Sequence, residues 1–147
     1  MLICSAKTVL NLTEVIKMKE ALDKKLVEKY PTLFADRYKS EMETAMCGGF
    51  ECGDGWFNII DTLCSNIQQY IDFKAERKEP VSQVVVFQVK EKFGGLRFYI
   101  NGGDDTIDQL ISFAEDMSYR TCDVCGNVGT VRTDGWIKTR CDDHEEA

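Results

Sequence analysis

Histidine occurs once in this chain of 147 residues, at His144. Any catalysis that needs an imidazole base must therefore use that one residue. No apolar run approaches the roughly 18 residues of a membrane helix. The segment Met1–Leu12 lacks a basic leading region and a long apolar stretch, so no secretory leader is expected. A reducing cytoplasm fits this best, a compartment where paired cysteines bind metal rather than oxidise. Lysine and arginine are missing from Glu41 to Phe73, which carries six acids, and from Gly103 to Ser118, which carries five. With a net charge of −7, the chain lacks the broad basic footprint of a duplex-binding protein. Internal repeats and low-complexity tracts are absent as well.

What is present is enough for a core. Hydrophobic residues make up 44% of the chain, and its length allows about 68–70% of the unfolded surface to be buried. Val15, Met18, Leu22 and Leu26 recur at helical spacing, so a helix is expected over Thr13–Tyr30, ended by Tyr30-Pro31. Trp56, Ile59, Ile60, Leu63, Ile67, Tyr70 and Ile71 form a longer stripe on a second helix that Asp54 can cap. Val81–Lys90 reads as a strand and Leu96–Asn101 as its hairpin partner, joined through Lys92-Phe93-Gly94-Gly95. A third helix follows, capped by Asp104 or Asp105, with Ile107, Leu110, Ile111, Ala114 and Met117 facing inward. Two strands alone are marginal, so a third is expected from residues 1–10 or from Thr130–Thr139. The expected fold is α+β: three helices on a small antiparallel sheet, over residues 1–119. A zinc ribbon over residues 120–147 is expected to dock at one end.

That last module carries the clearest chemistry. Cys122, Cys125, Cys141 and His144 follow the spacing C-x2-C-x15-C-x2-H. Two pairs of ligands, each on a tight knuckle, can close four donors around one tetrahedral Zn²⁺. Gly126, after the second cysteine, suits the turn such a knuckle needs. Three thiolates and an imidazole leave no open position, so the site reads as structural. From Arg120 to Ala147 the module carries four bases and six acids, which argues against a nucleic-acid finger.

Other candidates lie outside the module. The loop Cys47–Trp56 (CGGFECGDGW) is rich in glycine and must be held by packing. It offers Glu51, Asp54 and Trp56 as a possible binding surface. Asp54 and Asp61 share a helix face but lack a partner to complete a reaction centre. Cys47, Cys52 and Cys64 have no imidazole to activate them, since the metal cluster takes the only one. The hairpin KEKFGGLRFY is the sharpest surface candidate. Lys90, Lys92, Phe93, Arg97 and Tyr99 could grip a protein partner, a phosphate or a stacked base. Its two glycines do not open a helix, which excludes a P-loop.

FECGDGW (Phe50–Trp56), QVKEKFGGLRFY (Gln88–Tyr99), TCDVCG (Thr121–Gly126) and GWIKTRCDDH (Gly135–His144) together resemble a family of small proteins of tailed bacteriophages and prophages. The resemblance spans roughly Met18 to His144, which makes Met18 an alternative start. It implies a bacterial host cytoplasm and an accessory role in infection. The expected function is a non-enzymatic protein that binds, and inhibits, a host defence or regulatory protein. The alternative is a binder of nucleic acid or of a nucleotide signal through the hairpin.

Overall fold

A computed structural model describes residues 16–146. The beginning of the first expected helix, Cys4 and the candidate strand in residues 1–10 lie outside them. The first helix, α1 (Glu20–Lys29), starts later than the apolar spacing alone suggests. The reason lies in the residues before it. Met18 donates its backbone N–H to Phe50 O (3.0 Å) and Lys19 donates to Asp54 Oδ1 (2.8 Å). Those bonds hold the chain extended alongside the glycine-rich loop until Glu20. Leu26 is fully buried, and Tyr30, just past the helix, donates its hydroxyl to Asp61 Oδ1 (2.6 Å). Asp23 is buried too, in a two-pronged pair with Arg37 (3.0 and 2.8 Å), the geometry in which a guanidinium best matches a carboxylate.

The second helix, α2 (Phe57–Glu76), follows a tight turn at Asp54–Trp56 and is the main core element. Ile60, Leu63, Cys64, Ile67 and Ile71 repeat every three or four residues and are all buried. Burying each such aliphatic side chain contributes about 1.5–3 kcal/mol. Asp54 does not cap this helix. Its carboxylate turns the other way, to the backbone and ammonium of Lys19.

The sheet is mixed rather than antiparallel. β1 (Phe50–Glu51) runs parallel to β2 (Val85–Lys92), with Phe50 opposite Val89, and β2 pairs antiparallel with β3 (Gly95–Asn101). The third strand thus comes from the middle of the glycine-rich loop. Two residues of strand are too short to leave a periodic signal. Residues 81–84 precede β2 instead of belonging to it, although Val84 is fully buried. Val86, Val89, Leu96 and Phe98 turn into the same core as α2.

The third helix, α3 (Asp105–Ser118), begins at Asp104, whose carboxylate accepts Ile107 N–H (3.2 Å) and the Tyr70 hydroxyl (2.8 Å). Ile107, Ile111 and Ala114 are buried, but Leu110 is only half-buried and Met117 is 40% exposed. The expected inward stripe of α3 is therefore narrower than its sequence spacing. Residues 130–140 form a separate two-stranded sheet of β4 (Thr130–Arg132) and β5 (Lys138–Arg140). Among the described residues no helix is long and apolar enough to cross a membrane.

Candidate metal centre

The four expected ligands converge. One donor atom from each of Cys122, Cys125, Cys141 and His144 lies within 4.8 Å of the other three. Cys125 Sγ and Cys141 Sγ are 3.7 Å apart. His144 Nδ1 is 3.7 Å from Cys122 Sγ and 3.2 Å from Cys141 Sγ. Tetrahedral bonds of about 2.3 Å to sulfur and about 2.0 Å to nitrogen would set donor separations near 3.5–3.8 Å. The cluster offers four donors close enough to hold one metal ion.

Local structure prepares the donors. Burial opposes a thiolate at Cys122. Backbone N–H groups of Cys141, Cys125 and Val124 point at its sulfur and outweigh that, pulling its pKa down to about 6. Cys125 receives an N–H from Asn127, but the neighbouring sulfurs of Cys122 and Cys141 raise its pKa. One N–H-lined thiolate among close sulfurs is an arrangement that a cation relieves. The knuckle closes through Gly126 N–H to Cys122 O (2.9 Å) and Cys122 N–H to Asn127 O (2.7 Å). Its partner strand is tied on by Asp123 N–H to Thr139 O (3.1 Å). Arg140, one residue before Cys141, forms a buried ion pair with Asp123, one residue after Cys122. That pair joins the two ligand-bearing segments beneath the donors.

The glycine motifs prove to be the sockets for this module. A Cβ on Gly53 would lie 2.0 Å from Asp123 O, and one on Gly55 2.1 Å from Cys122 O. Gly55 N–H also donates to Asp123 O (2.9 Å). Only a residue without a side chain permits that approach. Trp56 completes the socket from below, fully buried, its indole N–H donating to Thr121 O (2.9 Å). On the other side Thr139 Oγ1 donates to Gly94 O (2.6 Å), and a Cβ on Gly95 would enter the Tyr119 ring. The three glycine- and cysteine-bearing stretches that stand out along the chain are thus one assembly in space.

This placement re-sorts the surface candidates. Trp56 belongs to the core rather than to a binding face. Asp54 is engaged with Lys19, and Glu51 is half-buried on β1. Of the hairpin residues, Arg97 donates to Tyr119 OH (3.0 Å) and Leu96 O (2.9 Å), and Tyr99 stacks on Phe87 at 5.7 Å. Lys90 is half-buried, whereas Lys92 is exposed and Phe93 is 65% exposed. Cys52 and Cys64 are buried, and burial pushes both thiols far above the ordinary range, so neither is a ready nucleophile. No family model, curated protein or solved structure matches the chain.

Two features escape a reading of the sequence. Lys92 and Gly95 pair directly, so the turn is Phe93-Gly94, with φ of 52° and 83°. This is the turn geometry in which asparagine or glycine is preferred at the first position, and a bulky residue there is strained. The second is Trp136, 71% exposed beside Gly135 between β4 and β5. The Asp134-Gly135 dipeptide is a turn signal that would have placed the indole at a hairpin tip. A Cβ on Gly94 would lie 3.2 Å from Ile137 and 3.4 Å from Thr139, so the β2–β3 turn packs against the segment that follows Trp136.

Proposed function

We propose that the chain is a zinc-stapled interaction protein without a reaction centre. In this reading a bacteriophage encodes it, and it binds and inhibits a defence or regulatory protein in the cytoplasm of a bacterial host. The ion held by Cys122, Cys125, Cys141 and His144 is Zn²⁺, since a set of three thiolates and one imidazole suits zinc. When bound it supplies a cross-link between the two knuckles, not a Lewis acid for substrate.

The observation that carries the binding reading is Phe93. It combines left-handed backbone with a large, exposed aromatic ring. Strain of this kind costs about 1–3 kcal/mol and gathers at functional positions. The Lys92 ammonium lies 5.7 Å from the Phe93 ring centre. The turn is braced by Thr139 of the metal module, and that module exposes Trp136 as a second aromatic, which suits a rigid aromatic anchor for a protein partner.

Phe93→Asn tests this in two directions at once. The turn should relax, raising stability by about 0.5–1 kcal/mol in thermal melts, while capture of a stoichiometric partner from bacterial lysate disappears. Trp136→Ser should weaken the same capture. If both variants retain the partner, the hairpin is not the binding surface. If nuclease treatment removes what is captured, the ligand is nucleic acid and the protein-binding reading fails.

A further inference from the structure

The side of the molecule formed by α2 and α3 carries a second feature, which shares no residue with the hairpin tips. Between the two helices runs an open groove of about 470 Å³. Its walls are Ile59 and Leu63 from α2 and Leu110, Phe113, Ala114 and Met117 from α3. Leu110, Phe113 and Met117 follow one another at i, i+3 and i+7, so they form a straight wall two turns long. Phe113 is 68% exposed and Met117 40%. On the α2 side the lip is neutral and polar, with Asn58, Thr62 and Asn66.

Charge narrows the choice of occupant. Within the walls there is no Lys or Arg from Phe57 to Phe73 or from Asp105 to Tyr119; the exposed Arg120 follows at the end of α3. Asp105 and Asp116 are exposed on α3, and at 3.6 residues per turn they share one helix face, next to that of Phe113. Eleven residues of helix separate them by about 16 Å. Nucleic acid and anionic lipid would meet Asp105 and Asp116 along α3, with Arg120 a base only at its C-terminal end. A second copy docked about a two-fold axis would bring the same acidic rim against itself, which like charge disfavours.

We propose that this groove receives an amphipathic helix of a partner protein, its apolar stripe in the cleft and its lysines or arginines on Asp105 and Asp116. Apolar anchors at i, i+3 or i+4 and i+7 on the incoming helix match the two-turn wall.

The test uses a fluorescent model peptide of about 18 residues, roughly 27 Å as a helix. It is built only of leucine and lysine, with the leucines on one face. Its counterpart replaces every lysine with glutamate. The leucine–lysine peptide should bind one to one by anisotropy, more weakly as salt rises, and the glutamate peptide should not bind. Phe113→Ser/Met117→Ser, both at exposed positions, should weaken binding by about tenfold or more. Asp105→Asn/Asp116→Asn should weaken it several-fold and flatten the salt dependence. Binding unchanged by either double variant, or shared by the glutamate peptide, would overturn the proposal. So would a dimer of the wild-type protein that Phe113→Ser/Met117→Ser dissolves in sedimentation, because the groove would then belong to a second copy.

Discussion

Single residues decide how closely the metal module can sit on the body of the protein. Gly53 and Gly55 lie against the carbonyls of Asp123 and Cys122 with no room for a methyl group. Gly55→Ala must push the first knuckle away and break the Gly55 N–H to Asp123 O bond. Ordinary over-packing costs about 1–3 kcal/mol, and a clash with backbone should reach or exceed the upper end of that range. Denaturant melts of Gly55→Ala against Gly135→Ala make the comparison, since Gly135 has only its left-handed backbone to lose and no neighbour within 4 Å. In the sequence the same glycines show only that the loop is costly to order. What orders it lies some 70 residues away along the chain, beyond the reach of any local pattern.

Asp61 works at the same scale. Burial raises its carboxyl, but bonds from Lys29 (2.8 Å) and the Tyr30 hydroxyl (2.6 Å) outweigh that and leave it below the usual range. A lowered folded pKa means that its contribution is present above the unfolded carboxylate value, about 3.9, and fades as pH falls through the folded value. Asp61→Asn should cost about 1 kcal/mol at pH 7, and the gap to wild type should begin to narrow as pH falls below about 4. A gap that is unchanged at pH 3 would show that the carboxylate charge plays no part.

Between elements, the tie that matters most is the buried pair of Asp123 and Arg140, which links the segment after α3 to β5. Removing one member strands a buried charge and typically costs about 3–5 kcal/mol. Replacing both with apolar side chains of similar volume is often near neutral. Arg140→Met should therefore lower the unfolding midpoint sharply, and Asp123→Leu/Arg140→Met should recover most of the loss. If the double variant is no better than the single one, the pair is not what joins the segments. The helices were legible from their apolar spacing, and the β2–β3 hairpin from its β-branched run and glycine turn. β1 was not, because two residues cannot show a period and its partner is parallel and distant. Asp54 departs from the expected cap for a related reason. A carboxylate at a helix start is the usual cap, yet here an extended segment 35 residues earlier takes it.

Across the whole molecule, Trp56, Gly53, Gly55 and Gly94 all meet the module that carries the cysteines. The convergence of Cys122, Cys125, Cys141 and His144 is legible from spacing alone. The exposed aromatics could not be ranked that way, because Trp56 and Trp136 both follow a glycine and only packing separates core from surface. Metal removal by a strong chelator should therefore loosen more than residues 120–146. It should free the 53–56 loop and the β2–β3 turn as well, and lower the melting temperature of the entire chain.

The most direct measurement combines metal analysis with X-ray absorption on protein purified without added metal. The account predicts one zinc per chain, bound by three sulfurs and one nitrogen and no further light ligand. Zinc well below one per chain, or an oxygen in the coordination shell, would contradict it.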